Sequence, residues 1–99
     1  MAVISAVVQD EHGNPVGERI DLPADLFPNV NDIRFVCLRF IDAYGDTYFN
    51  GLQAPAVLQD LQLLKTTKPH ELVKLINRLE ALARVCEKGT HLYLKFIGD

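Results

Sequence analysis

The chain has 99 residues, of which 48% are apolar and 23% charged, and a formal net charge of −3. That length suits a single domain spanning 1–99 around one core, and the composition excludes disorder of the whole chain and a nucleic-acid surface built on a dense basic patch. The apolar runs are short and the N-terminus has no basic head, so neither a membrane span nor a secretion signal is expected, and the expected location is cytoplasmic.

Residues 2–9 form a β-branched run, and residues 16–22 can return antiparallel to it across the turn formers of 10–15. Pro23, Pro28 and the Asn and Asp residues between Leu22 and Asp32 break regular structure, leaving a loop with room for one helical turn at 23–27.

Residues 33–42 read as a strand apolar on both faces, with Ile33, Phe35, Cys37 and Ile41 on one side and Val36, Leu38 and Phe40 on the other. Such a strand needs cover on both sides. Gly45 sits in a hairpin loop of the kind that uses the left-handed conformation, and 47–50 is a short return strand.

Pro55 suits a first helical turn, and Val57, Leu58, Leu61 and Leu64 keep helical spacing to about Lys65. A second helix, capped by Thr67, runs to Lys88 and stops at Gly89. Its Leu72, Leu75, Ile76, Leu79, Leu82, Ala83 and Cys86 share one face, with Lys74, Arg78, Arg84 and Lys88 opposite. Residues 91–97 alternate as a closing strand, its neighbours in the sheet left open by the pattern. The expected class is α+β: a single, mostly antiparallel sheet of four to five strands with two consecutive helices packed on one face, in the order β-β-β-β-α-α-β.

No catalytic, metal or nucleotide signature stands out. His12, His70 and His91 lie far apart, Cys37 and Cys86 fall on apolar faces, and no glycine-rich loop precedes a helix with a following Lys-Ser or Lys-Thr. No catalytic residue, metal or cofactor is expected, and neither nucleic acid nor membrane is an expected partner.

Charge divides unevenly. Residues 1–53 carry eight acids against three bases, and the remainder five acids against seven bases. Together with the surplus of apolar strand surface, this points to an interaction protein that forms a homodimer or caps another protein, in an adaptor or an immunity or antitoxin-like role. Its expected contacts are Phe35, Arg39, Ile41, Asp42, Tyr44, Asp46, Tyr48 and Tyr93, combining aromatic area with charges for orientation. The alternative is a small enzyme or ligand carrier whose apolar pocket is gated by Asp42, Tyr44 and Asp46.

Overall fold

A computed structural model describes residues 2–99. Strands β1 (Val3–Gln9), β2 (Pro15–Pro23) and β3 (Asp46–Asn50) are followed by helices α1 (Ala54–Lys65) and α2 (His70–Lys88) and by strand β4 (Tyr93–Ile97). The sheet order is β2-β1-β4-β3, and every pairing is antiparallel. The closing strand therefore lies inside the sheet, between β1 and β3. α2 crosses β1, β4 and β2, and α1 packs on α2, so both helices occupy one side.

The first turn follows from its residues. The Asp10 carboxylate accepts the backbone N–H groups of His12 and Asn14 at 2.9 Å each, and Gly13 supplies a φ of 82°. Gly17, at φ 85°, lies where the register between β1 and β2 shifts, which marks a bulge on the edge strand. The helical turn expected at 23–27 is a 3₁₀ turn, Ala24–Leu26. Gly45 does not have a positive φ; that conformation is taken by Gly13 and Gly17.

Alternation places Ile4, Ala6, Val8, Leu94 and Phe96 under the helices, where α2 adds Ile76, Leu79, Leu82, Ala83 and Cys86. Phe96 anchors this layer, with the rings of Phe27 and Phe49 edge-on at 5.6 and 5.9 Å. Such pairs add about 0.5–1.5 kcal/mol each beyond area burial. Between the helices, Lys65 Nζ lies 2.8 Å from Glu80. Thr67 does not cap α2. Pro69 takes that position, and the Thr67 hydroxyl donates to the Leu64 carbonyl at the end of α1.

The largest departure from the sequence pattern is at 33–42, which is not a strand. The segment is a series of hydrogen-bonded turns ending in a 3₁₀ turn, Leu38–Phe40. The reason lies in α1. The Asp60 carboxylate, 4% exposed, accepts the backbone N–H groups of Val36, Cys37 and Leu38 at 3.0, 2.7 and 2.9 Å. Donors committed to a buried carboxylate are not free to join a ladder, and three consecutive N–H groups converging on one anion require a curled backbone.

The helix-free face of the sheet is covered only at its centre, at Ser5 and Val7. Ser5 and Val7 point away from the helices yet are 6% and 5% exposed. Arg19 reaches across to donate to Ser5 Oγ at 3.0 Å, and Ser5 in turn donates to Asp21 at 2.6 Å. Lys95, the direct neighbour of both Val7 and Tyr48, holds its Nζ 3.7 Å from Asp46 and 5.3 Å from the Tyr48 ring centroid. Around Ser5 and Val7, Asp21, Tyr48 and Asn50 stay exposed on the same face.

Candidate functional site

Residues 30–44 carry the most concentrated exposed apolar surface. Val30, Ile33, Val36, Phe40 and Tyr44 are 53%, 81%, 63%, 53% and 83% exposed. Between them, Phe35, Cys37 and Leu38 are buried in the core. The segment thus has an inner and an outer side, set by turns instead of by strand alternation.

Its backbone is held at several points. Asn29 and Asp32 close successive turns, accepting the backbone N–H groups of Asp32 and Phe35. The Arg34 guanidinium donates to both oxygens of Asp32, at 2.9 and 2.8 Å, which raises the Arg34 pKa and lowers that of Asp32. Asp60 then fixes 36–38 from below. At the C-terminal end, the backbone N–H groups of Asp99 and Gly98 donate to the carbonyls of Ala43 and Gly45. An apolar surface on backbone fixed in this way loses little conformational entropy on docking.

The eight expected contact residues do not gather on one sheet face. Phe35 is 2% exposed and belongs to the core, so it is not an accessible contact. Ile41 is half-buried against that core. The Arg39 guanidinium stacks 4.4 Å from the Phe40 ring centroid, and Tyr44 stands free on the same segment. Asp42 builds the turn, its carboxylate accepting the Tyr44 N–H at 2.8 Å and its own N–H donating to Thr47 Oγ1. Asp46 and Tyr48 lie on β3 beside Lys95, and Tyr93 lies at the far end of the sheet.

Asp42, Tyr44 and Asp46 line none of the three grooves found beside Gly89, Gly13 and Lys68. Among the described residues, no group of three or more His, Cys, Asp or Glu side chains is placed to hold a metal ion. No helix of the described chain is long and apolar enough to cross a membrane.

Pattern reading assigned Ile33, Val36 and Phe40 to a strand and passed over Asp60. A signal for Asp60 was present: it stands three residues after Val57 and four before Leu64, a lone acid on the apolar stripe of α1. A carboxylate at such a position needs donors from elsewhere in the chain. Burial raises the pKa of the Cys37 thiol, and the charge of Asp60 raises it further. Comparisons with family models, curated proteins and solved structures found no match for this chain.

Proposed function

We propose that the protein is a binding module that pairs with a second copy of itself through the outer side of residues 30–44. One observation carries the reading: Ile33, Val36, Phe40 and Tyr44 are more than half exposed on backbone fixed by the buried Asp60 carboxylate. Large apolar side chains held this exposed on one segment are the kind of surface that marks protein–protein interaction sites.

The rim favours a second copy. Arg39 and Asp42 flank Phe40 with opposite charges, and a two-fold axis brings each opposite the other in the partner. The aromatic and arginine side chains at this surface are the types enriched at interface centres.

The test is a concentration series of amide spectra on isotope-labelled protein. Shifts concentrated in residues 30–44 as concentration rises support the reading. Shifts centred on β1 and β4, or none up to millimolar concentration, contradict it.

A further inference from the structure

The turn from β3 into α1 contains the one Asn-Gly step of the sequence, Asn50 followed by Gly51. Each residue has a structural reason to be there. The Oδ1 and carbonyl oxygens of Asn50 both accept the Gln53 N–H, at 3.0 and 3.1 Å, which closes the turn at the head of α1. A Cβ on residue 51 would lie 3.3 Å from the Cys86 carbonyl oxygen, so glycine lets the turn approach α2.

The same pair is chemically labile. The backbone nitrogen after an asparagine can attack the side-chain amide carbon, and glycine shields that nitrogen least. Asn50 is exposed, and among the described residues the Gly51 N–H donates to no acceptor. At the other asparagines the following nitrogen is hindered or engaged. Pro15 after Asn14 has no N–H, and Val30 after Asn29 is β-branched. The Asp32 N–H after Asn31 donates to the Asn29 carbonyl at 2.9 Å, and Asn77 lies inside α2.

Gln53 holds the reaction back. The Asn50 N–H donates to Gln53 Oε1 at 2.9 Å, and Asn50 is paired with Tyr93 in the sheet. In strand geometry, with ψ about +135°, the next nitrogen stands away from the side chain, so Asn50 must rotate about its Cα–C bond before Cγ comes within reach.

We propose that Asn50 is a site of spontaneous deamidation whose rate is set by release of the Asn50–Gln53 hydrogen bonds. The Gly51 nitrogen attacks Asn50 Cγ, the Cγ–Nδ2 bond breaks, and ammonia leaves carrying the proton of the Gly51 amide. Water then opens the resulting succinimide at either carbonyl, giving aspartate or isoaspartate. Either product adds a negative charge at the turn. Isoaspartate also adds a methylene to the backbone where Gly51 approaches Cys86. The turn shares no residue with the surface at 30–44, so this proposal stands separately from self-association.

The test ages full-length wild-type, Gln53→Ala and Gln53→Glu proteins in mildly alkaline buffer. Peptide mapping by mass spectrometry then separates asparagine, aspartate and isoaspartate at each site. Conversion at Asn50 is expected ahead of every other asparagine. It is expected about fivefold faster in Gln53→Ala, the effect of losing one net hydrogen bond from the closed turn, and at the wild-type rate in Gln53→Glu, which keeps the acceptor. Amide exchange is expected to rise at Gly51 in Gln53→Ala and not at Leu79 or Phe96. Equal rates in wild type and Gln53→Ala, or exchange rising equally at all three positions, overturn the role of Gln53. No conversion at Asn50, or faster conversion at another asparagine, overturns the site.

Discussion

Asp60 and Cys37 are joined by a 2.7 Å hydrogen bond from the Cys37 backbone N–H to the Asp60 carboxylate, across 23 positions of sequence. With the neighbouring bonds from Val36 and Leu38, it decides which side chains of residues 33–42 enter the core and which face out. Removing the carboxylate leaves three N–H groups without an acceptor. Asp60→Ala is therefore expected to cost about 3–5 kcal/mol, and Asp60→Asn, which keeps one acceptor oxygen, about 2 kcal/mol. Urea unfolding of the two variants checks this, and a loss below about 1 kcal/mol for Asp60→Ala would remove Asp60 from its role.

The inner and outer sides of the same segment respond oppositely. Phe35 is 2% exposed, so Phe35→Asp buries an unpaired charge and is expected to prevent folding. Val36, one residue on, is 63% exposed, and Val36→Asp is expected to change monomer stability by no more than about 0.5 kcal/mol. In α2, Leu79→Ala is expected to cost about 2–5 kcal/mol through the cavity it leaves. Thermal melts of the three variants, followed by circular dichroism, rank them; a folded Phe35→Asp protein would contradict the placement of the segment.

Gly98 ties the chain end to this segment. A Cβ there would lie 2.6 Å from the Ala43 carbonyl carbon and oxygen and from the Asp42 carbonyl oxygen, all backbone atoms. Gly98→Ala is expected to cost about 1–3 kcal/mol by forcing these strands of chain apart. Faster amide exchange at Asp99 and Gly98 accompanies that loss, and unchanged exchange would mean that the contact is not maintained in solution.

Both thiols are buried, and burial pushes each pKa above its ordinary value of 9.0. For Cys86 this is partly offset by a backbone hydrogen bond. A group whose pKa is raised on folding contributes stability that is complete below the unfolded value and lost as pH rises through the folded value. Urea midpoints are thus expected to fall from about pH 9 upward, and less steeply in the double variant Cys37→Ala/Cys86→Ala. At neutral pH neither thiol is expected to react with an aromatic disulfide reagent until the protein unfolds. Rapid modification of the folded protein would contradict the burial.

Period and punctuation made the helices and the first hairpin legible: Leu79 and its neighbours define the α2 face, Pro55 the start of α1, and Asp10 and Gly13 the first turn. The place of β4 was not legible, because its alternation of Leu94 and Phe96 with Tyr93 and Lys95 fits a parallel or an antiparallel neighbour equally. Residues 33–42 misled for a physical reason. Alternating apolar residues satisfy a strand and a turn-rich segment equally, and the arbiter, Asp60, lies in another element. The candidate surface was legible only in part, since Tyr44 stands out while Val36 and Ile33 were given to a sheet that does not contain them.

The most direct test of the proposed self-association is solution mass by light scattering, over a concentration series, for the wild-type protein and the double variant Val36→Asp/Phe40→Asp. The wild-type chain is expected to approach twice its 11.1 kDa, and the variant to remain at that single-chain mass with its circular dichroism spectrum intact and a melting temperature that no longer depends on concentration. A wild-type protein that stays at 11.1 kDa throughout, or a variant that dimerises as well as the wild type, would contradict it.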